Sequence, residues 1–277
     1  MKVAVTGASG FIGRHVVAAL ADIPDVELVL AGRDTAKLAG MPGRHVALDV
    51  MAEPAADMFE QLGQPDRLIH LAWGGLTNFK SDSHVTEELP KHLRFLTALV
   101  EQGLDEITVT GTCLEYGLQE GALHEDLPTA PVTAYAEAKD KLHKALVALQ
   151  VEMPFRLKWL RPFYMWGEGQ NPKSFFSLLD AALERGDASF DMSGGEQVRD
   201  FLPVEYMGLL IAVAAMQDTI DGAINVGRGE GRTLREMAEE RIAEHGSDMV
   251  LNLGVYPYPD YEPMRFWADM SKFNLIG

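Results

Sequence analysis

Short apolar runs alternate with stretches of helical periodicity through the first 160 residues of the chain. Nearly continuous apolar strands that alternate with amphipathic helices are typical of a parallel sheet covered on both faces. The pattern therefore predicts an α/β fold with a doubly wound nucleotide-binding domain. Strands are predicted at 2–6, 27–31, 44–48, 67–71, 106–110 and 155–160. Helices are predicted at 12–21, 56–62, 83–102 and 134–152.

The pattern is less regular in the remainder of the chain. A helix is predicted at 174–185, a strand followed by a helix at 201–216, and a further buried strand at 223–226. Gly194-Gly195 is expected to separate two strands that pair with each other. The tail contains three prolines and is expected to be irregular.

No internal repeat or clear linker divides the chain, so a second lobe must be built from returns of the chain rather than from one contiguous block. We expect a small C-terminal substrate-binding lobe interleaved with the main domain. The dinucleotide-binding domain is predicted to comprise 1–164 and 203–228, and the lobe 165–202 and 229–277.

Composition narrows the classes of partner. A net charge of -17 disfavours a nucleic-acid partner, because phosphate binding needs a basic surface. A small anionic ligand is still compatible if a few arginines are concentrated at one site. Cys113 is the only cysteine, so no intrachain disulfide is expected. The first apolar run leads into a glycine-rich loop and the longest, 207–216, is too short to cross a bilayer. We therefore expect a cytoplasmic protein without a membrane anchor.

A glycine-rich segment, Thr6-Gly-Ala-Ser-Gly-Phe-Ile-Gly13, lies between the first predicted strand and the first predicted helix. Glycine lets the backbone approach a pyrophosphate, and the helix N-terminus supplies free N–H groups and a partial positive charge. The segment predicts a dinucleotide site. Its expected cofactor contacts are Gly7, Gly10, Phe11, Ile12 and Gly13.

The end of the second strand bears on the choice of cofactor. A carboxylate there favours NAD through the ribose 2′-hydroxyl, whereas an arginine accommodates the 2′-phosphate of NADP. Arg33 occupies the position expected for this ligand and is followed by Asp34. NADP(H) is therefore favoured, with NAD(H) as the alternative if Asp34 is the ribose ligand and Arg33 a solvated loop residue.

Two further strand ends are placed to contact the same cofactor, because open α/β sheets bind ligands at the carboxyl ends of their strands. Asp49 and Val50 follow the third strand and are expected at the adenine edge. Leu71, Ala72 and Trp73 follow the fourth and are expected on the nicotinamide side. The alternative to a cofactor contact is that Asp49 caps a turn and that Leu71 and Ala72 belong to the hydrophobic core.

Tyr135 and Lys139 lie four residues apart and so share one face of a predicted helix. A nearby ammonium is expected to stabilise the phenolate and to lower the phenol pKa from about 10. Such a tyrosine can protonate an oxyanion or deprotonate an alcohol. Thr112, just after the fifth strand, can present its hydroxyl from the same edge of the sheet. The alternative is that Tyr135 and Lys139 have no catalytic role and only share the face of an ordinary helix.

Together, these motifs resemble the extended short-chain dehydrogenases/reductases of the NAD-dependent epimerase/dehydratase group, which have a Rossmann fold. The resemblance covers nearly the whole chain. It rests on the glycine loop, His70-Leu-Ala-Trp73, Thr112 with Tyr116-Gly117, Tyr135-X3-Lys139, Arg161-Pro162, Gly195-Glu-Gln-Val-Arg-Asp-Phe201 and Asn225-Val-Gly227.

The resemblance implies a catalytic set of Thr112, Tyr135 and Lys139, in which Lys139 also binds the nicotinamide ribose. It further implies an enzyme of nucleotide-sugar metabolism and a homodimer formed through the helices at 83–102 and 134–152. The histidines show no metal-ligand spacing, so no catalytic metal is expected.

Dehydratases of this group place an Asp-Glu pair directly after the catalytic hydroxyl residue. Cys113 and Leu114 stand there, so dehydration is not expected. Glu115 is one place further on and is either a substrate contact or a loop carboxylate.

Arg33 favours a net reductase over an epimerase, because a reductase must exchange its cofactor and commonly uses NADPH. The segments 70–75 and 110–116 also look closest to nucleotide-sugar ketoreductases. The favoured function is reduction of a 4-keto-(6-deoxy)hexose carried on a nucleotide diphosphate. An NAD-dependent nucleotide-sugar 4-epimerase is the alternative. A non-catalytic NADP(H)-binding sensor or scaffold, and a reductase of a non-sugar carbonyl, are more distant ones.

The resemblance also suggests substrate contacts. Arg199 matches the nucleotide-diphosphate ligand of the family, and Arg265 is a second candidate, because a guanidinium offers a planar fork to phosphate oxygens. A surface salt bridge is the alternative for Arg265. The other expected contacts are Trp73, Tyr164, Trp166 and Asn171.

Overall fold

The computed structural model describes residues 1–276. The strands are β1 (Lys2–Thr6), β2 (Glu27–Gly32), β3 (Arg44–Ala47), β4 (Arg67–His70), β5 (Glu106–Thr110), β6 (Gly121–Leu123), β7 (Arg156–Pro162), β8 (Tyr164–Trp166), β9 (Ser189–Asp191), β10 (Val198–Arg199), β11 (Phe201–Pro203), β12 (Gly222–Val226), β13 (Arg232–Thr233), β14 (Val250–Asn252) and β15 (Phe266–Ala268). The α-helices are α1 (Gly13–Ala21), α2 (Met58–Gln61), α3 (Leu89–Glu101), α4 (Ala134–Glu152), α5 (Phe175–Arg185), α6 (Val204–Met216) and α7 (Leu234–Glu244). None of these helices is both long enough and apolar enough to span a membrane.

Seven parallel strands form the central sheet in the order β12-β7-β5-β4-β1-β2-β3. All six strands predicted in the first 160 residues are present, with ends that differ by at most two residues. β2 and β3 are added on one side of β1, and β4, β5, β7 and β12 on the other side. The direction in which strands are added therefore reverses between β1 and β4. Their carboxyl ends lie side by side, with Thr6 paired in register with His70. Ligands bind at such a reversal in doubly wound sheets.

Helices cover both faces of the sheet, as predicted. Alternate residues of a strand point to opposite faces. Val3 and Val5 accordingly pack with residues of α1 and α6, whereas Ala4 packs with residues of α3 and α4. Gly208 allows α1 and α6 to approach closely, since a Cβ at that position would lie 2.5 Å from the Cβ of His15.

The predicted helix at 83–102 has two parts. Residues His84–Glu88 form a wide π-helical turn in which Leu89 N–H donates to His84 O, and α3 follows with Pro90 in its first turn. Proline has no N–H to donate to the preceding turn, which accounts for a change of hydrogen-bonding pattern at this point. Glu88 is thereby placed one turn before His92.

The second lobe differs from its prediction. The strands on either side of Gly194-Gly195 do not pair with each other: β9 pairs with β14, and β10 pairs with β13. Their partners come from a region in which α7 was not predicted, although Thr233 and Glu236 form a capping box at its start. The tail is also not wholly irregular, because β14 and β15 are paired strands.

A buried ionic cluster joins the amino-terminal halves of three central strands. The Glu106 carboxylate contacts the ammonium of fully buried Lys158 and lies 3.4 Å from the Arg67 guanidinium. Lys158 Nζ also donates to Ala215 O (3.1 Å) and Gln217 O (2.6 Å). Burial lowers the pKa of Lys158, and Glu106 opposes this effect. Glu106 is therefore the carboxylate that pairs with the Lys158 ammonium, whereas Arg67 is also paired with Asp218 at 2.7 Å.

We predict that Glu106→Gln destabilises the protein by about 3–5 kcal/mol, because it leaves the fully buried Lys158 ammonium without a paired carboxylate. Glu240→Gln is the matched control, since Glu240 pairs with Arg232 at the surface and such pairs contribute up to about 1 kcal/mol. Urea unfolding followed by circular dichroism measures both. Equal unfolding midpoints for the two variants would contradict the assignment of Glu106.

Candidate active site

A cavity of about 450 Å³ opens at the carboxyl ends of β1, β2 and β4. Every residue predicted to contact a dinucleotide lines it, apart from Tyr135 and Lys139. These lining residues are Gly7, Gly10, Phe11, Ile12, Gly13, Arg33, Asp49, Val50, Leu71, Ala72 and Trp73. The sheet thus brings together four segments that are far apart in sequence.

The glycine loop has the form that the sequence predicts. Gly7 has φ +75°, and a Cβ there would lie 2.6 Å from Ala72 N. A Cβ at Gly13 would overlap Gly7 O. The loop therefore packs tightly against the end of β4 and turns directly into α1. The loop backbone and the α1 N-terminus border the cavity, an arrangement that suits the pyrophosphate of NAD(P).

The two candidate ribose ligands after β2 have different environments. Arg33 lines the cavity. The Asp34 carboxylate instead accepts a hydrogen bond from Ala36 N at 3.1 Å and caps the short 3-10 helix that follows. Asp49 combines both of its proposed roles, because it lines the cavity and also accepts from Met51 N at 3.0 Å. The cavity therefore presents a guanidinium after β2 and a carboxylate after β3.

Thr112, Tyr135 and Lys139 come from two elements at the same end of the sheet. Thr112 follows β5 and is the N-cap of a 3-10 turn, where its hydroxyl accepts from Leu114 N at 3.3 Å. Tyr135 and Lys139 lie in the first two turns of α4, which begins at a Thr133 cap. Lys139 is fully enclosed and donates to Thr110 O at 2.7 Å.

The indole of Trp73 links this set to the cavity. Lys139 Nζ lies 3.9 Å from the centre of the Trp73 ring, and the Tyr135 ring meets the indole edge-on at a centroid distance of 6.2 Å. The Tyr135 ring also packs against Phe79 and His84. Trp73 therefore lies where the cavity meets the two helical side chains.

The pKa directions differ from the sequence-based expectation. Burial raises the pKa of Tyr135, the Glu115 charge raises it further, and the Thr112 hydroxyl opposes the rise. Burial lowers the pKa of Lys139 to about 7, although Glu115 and Glu88 favour its charged form. The predicted lowering of the phenol pKa by Lys139 is therefore wrong for this arrangement, in which the ammonium is directed to Thr110 O and Trp73. Desolvation outweighs the expected charge effect.

Glu115 fits neither a substrate contact nor an exposed loop carboxylate. It is fully buried, accepts from Thr112 N at 2.8 Å and pairs with Arg161 at 2.8 Å. Trp159 Nε1 also donates to its carboxylate, at 3.0 Å. Arg161 lies over the ring of Tyr116. These family-like motif residues thus form a buried network that fixes the backbone of Thr112.

The predicted substrate contacts are dispersed. The buried Arg199 guanidinium donates to the Glu262 carboxylate at 2.9 Å and to Val198 O at 2.9 Å, whereas Arg265 is exposed. Arg199 is thus paired with a carboxylate from the tail, and Arg265 does not share that contact, so a phosphate site formed by both arginines stays a prediction.

The other substrate candidates vary in accessibility. Tyr164 packs against Phe201, and its hydroxyl is buried without a hydrogen-bond partner among the described residues. Exposed Asn171 accepts from Lys173 N at 2.9 Å, just before α5. Trp166 borders a separate cavity with Arg228 and Arg241. These residues do not line the cavity beside the glycine loop.

Glu88 and His92 also line that cavity, and the sequence analysis did not select them. Their four-residue spacing on one helix face was the available signal, because side chains so spaced meet. They hydrogen-bond at 3.1 Å. His92 additionally contacts His70, which lies far away in the sequence, so the larger cluster has no local pattern.

Comparison with known proteins agrees with this geometry. The model of the NAD dependent epimerase/dehydratase family matches residues 3–227. The dTDP-6-deoxy-L-talose 4-dehydrogenase (NAD(+)) of Aggregatibacter actinomycetemcomitans is 28% identical over 97% of this chain and 99% of that protein. The dTDP-6-deoxy-L-talose 4-dehydrogenase (NAD(P)(+)) of Kitasatospora kifunensis is 28% identical over 88% and 79%, respectively.

The fold is similar to solved structures over its whole length. UDP-glucuronic acid 4-epimerase from Bacillus cereus, in complex with UDP-glucuronic acid and NAD, matches with a TM-score of 0.84 at 22% identity. The match covers 100% of this chain and 92% of that one. Because the family model also spans most of the sequence, the chain belongs to the NAD dependent epimerase/dehydratase family.

Proposed function

We propose that the protein reduces the 4-keto group of a nucleotide-diphosphate-linked 6-deoxyhexose with NAD(P)H. The main supporting observation is that Tyr135 and Lys139 adjoin Trp73 at the end of a cavity bordered by the glycine loop. The two similar proteins named above act, by their names, at carbon 4 of a dTDP-linked 6-deoxy sugar. A dehydrogenase of that kind runs in reverse as a reductase.

The residues divide the chemistry as follows. Bound NAD(P)H supplies the hydride that reduces the keto carbon. Tyr135 gives its phenolic proton to the carbonyl oxygen, and the Thr112 hydroxyl hydrogen-bonds that oxygen. Lys139 stabilises the phenolate that remains, which regains a proton from solvent. The overall reaction consumes the ketone, one NAD(P)H and one proton, and it yields the alcohol and NAD(P)⁺.

The raised pKa of Tyr135 is compatible with this direction of reaction, because it keeps the donor protonated. The lowered pKa of Lys139, about 7, means that the ammonium is lost as the pH rises through neutrality. We therefore infer that reduction is fastest on the acid side of that value.

NADPH is the proposed preferred cofactor. Arg33 lines the cavity after β2, and the Asp34 carboxylate is engaged by Ala36 N. A guanidinium at this position accommodates a 2′-phosphate. The similar proteins are named for NAD(+) in one case and for NAD(P)(+) in the other, so Arg33 is the feature that favours NADPH here. A homodimer through α3 and α4 stays a prediction from the family resemblance.

A nucleotide-sugar 4-epimerase is the second candidate, because the family includes epimerases by its description. An epimerase oxidises and re-reduces its sugar with a retained cofactor, so it consumes no NAD(P)H. UDP-glucose supplied without added cofactor, with the product sugars separated by chromatography, distinguishes it from the reductase. A protein that binds NADP(H) as a sensor would turn over neither substrate.

We predict that the protein oxidises NADPH when given dTDP-4-keto-6-deoxyhexoses, and that Tyr135→Phe lowers kcat about 10²–10⁴-fold. The phenol is the proposed proton donor, so the affinity for NADPH should stay near that of the unmodified protein. Stopped-flow absorbance of the reduced nicotinamide measures turnover, and fluorescence titration measures affinity. Absence of both NADPH and NADH oxidation across dTDP-, UDP- and GDP-linked keto sugars would reject the reductase. Near-normal turnover by Tyr135→Phe would reject the proton donor.

We predict that Arg33→Asp reverses the cofactor preference towards NADH by about tenfold or more, because it replaces a phosphate-binding cation with an anion. Lys37→Asp makes the same charge change four residues away, outside the lining of the dinucleotide cavity, and serves as the control. Steady-state kcat/KM with each cofactor is the measurement. The assignment fails if the NADPH/NADH ratio is unchanged by Arg33→Asp.

We predict that Glu262→Gln tightens the binding of dTDP about tenfold, since a diphosphate must compete with the Glu262 carboxylate for Arg199. Asp260→Asn is the matched control, because Asp260 pairs with Lys80 in an exposed contact only two residues away. Isothermal titration calorimetry with dTDP gives both affinities. If Glu262→Gln weakens or does not change dTDP binding, Arg199 is not the phosphate ligand.

A further inference from the structure

A buried chain of hydrogen bonds lies beneath the cavity. His92 Nε2 contacts Glu88 Oε2 at 3.1 Å, His92 Nδ1 contacts His70 Nε2 at 2.8 Å, and His70 Nδ1 contacts Thr6 Oγ1 at 2.8 Å. Gly74 N donates to the same Glu88 oxygen at 3.0 Å. His70 and His92 are at most 1% exposed. The chain connects the glycine loop, the ends of β1 and β4, and helix α3.

The direction of each hydrogen bond follows from the carboxylate at one end. An ionised carboxylate only accepts, so His92 must carry its hydrogen on Nε2. In neutral His92 the other ring nitrogen, Nδ1, carries no hydrogen and can only accept. His70 must therefore donate to it, so His70 also carries its hydrogen on Nε2. His70 Nδ1 then accepts the hydrogen of the Thr6 hydroxyl. Burial lowers the pKa of both histidines, and the His92 hydrogen bond lowers the pKa of Glu88, in keeping with these protonation states.

A third histidine has the same tautomer for an independent reason. The Trp73 indole N–H can only donate, and it donates to His84 Nδ1 at 3.1 Å. His84 Nε2 therefore holds the hydrogen and donates it to Asn78 O at 3.1 Å. The His84 bond fixes the edge of the indole.

His92 fixes the face of the indole. Its ring stacks on Trp73 at a centroid distance of 4.5 Å and an angle of 17°. Lys139 Nζ lies 3.9 Å from the centre of the same indole, close enough for a cation–π interaction. The ammonium has one other short contact among the described residues, its hydrogen bond to Thr110 O. The position of Trp73 therefore bears directly on the position of the ammonium.

We propose that Glu88 sets the tautomers of His92 and His70. His92, which His70 supports, and His84 then hold Trp73 in place, and Trp73 acts as a positioning residue for the Lys139 ammonium. The network explains why three histidines without metal-ligand geometry surround this site. It rests on the proposed function only for its effect on turnover, because the hydrogen-bond pattern can be measured without substrate or cofactor.

Several charged or titratable groups face Lys139 from neighbouring elements. Glu115 approaches from the turn after β5, and His70 lies in β4. Glu88 lies in the turn before α3, and His92 lies in α3 itself. Both carboxylates favour the charged ammonium. A variant that removes the charge of Glu88 should therefore move the alkaline limb of the pH–rate profile to lower pH, whereas loss of the hydrogen bonds alone should not.

The first experiment is long-range ¹H–¹⁵N correlation NMR on the full chain labelled at histidine. We expect His70, His84 and His92 to carry hydrogen on Nε2 at neutral pH, each assigned by loss of its signals in a substituted variant. In Glu88→Met the acceptor is absent, so His92 and His70 should become mixtures of tautomers. A hydrogen on Nδ1, or a charged ring, in any of the three histidines of the unmodified protein would overturn the network.

The second experiment measures turnover at saturating NADPH and sugar. Glu88→Met and Trp73→Leu should each lower kcat about tenfold, because the ammonium is displaced, and Glu88→Met should do so with little change in the sugar KM. Glu88→Gln keeps one oxygen for both N–H donors and Trp73→Phe keeps an aromatic face, so each should recover part of the loss. Glu87→Gln removes an exposed charge at the adjacent position and is the control.

The two experiments separate the outcomes. Correct tautomers together with unchanged kcat in Glu88→Met and Trp73→Leu would overturn the positioning role while leaving the reductase intact. Loss of kcat in Glu88→Met without partial recovery in Glu88→Gln would also contradict it, because the acceptor rather than the shape is proposed to matter. If the unmodified protein oxidises neither NADPH nor NADH with these sugars, the proposed function fails, and the NMR result alone decides whether the network exists.

Discussion

The enclosed ammonium of Lys139 is the constraint on which the site depends. Burial disfavours a charged lysine, and the structure offsets this with a carbonyl oxygen, an aromatic face and two carboxylates at longer range. Each compensating group comes from a different element of the fold. The charge can therefore persist only when β5, the end of β4 and helices α3 and α4 are correctly packed. The charge of Lys139 is thus coupled to the packing of these elements at the carboxyl edge of the sheet.

Two buried polar networks flank this ammonium and have comparable designs. On one side, Glu115 joins Thr112, Trp159 and Arg161. On the other side, Glu88 joins Gly74, His92 and, through it, His70 and Thr6. In each network a carboxylate accepts hydrogen bonds from several donors that come from different segments. This pairs buried polar groups that would be costly to leave without hydrogen bonds. Glu115 thereby fixes the hydroxyl residue, and Glu88 supports the indole that borders the dinucleotide cavity.

The tail of the chain contacts segments that lie far from it in the sequence. Glu262 reaches back to buried Arg199, and β15 pairs with β6 next to the turn that carries Thr112. The Glu262 carboxylate neutralises the Arg199 guanidinium, a cation that could otherwise bind a phosphate. The tail segment between β14 and β15 therefore supplies the carboxylate that neutralises buried Arg199.

The sequence by itself determined the order of elements in the main domain, the glycine loop and the eleven cavity-lining cofactor candidates, because local periodicity and the positions of strand ends are sufficient for them. Tertiary structure decided the rest. The partners of β9 and β10 come from distant segments. The pKa of Tyr135 rises because of burial and the charge of Glu115, and Arg199 is paired with a carboxylate 63 residues away. The histidine network joins residues 6, 70, 88 and 92, of which only the last two share a local pattern. Contacts between distant segments, and the desolvation that they impose, have no signature in local spacing.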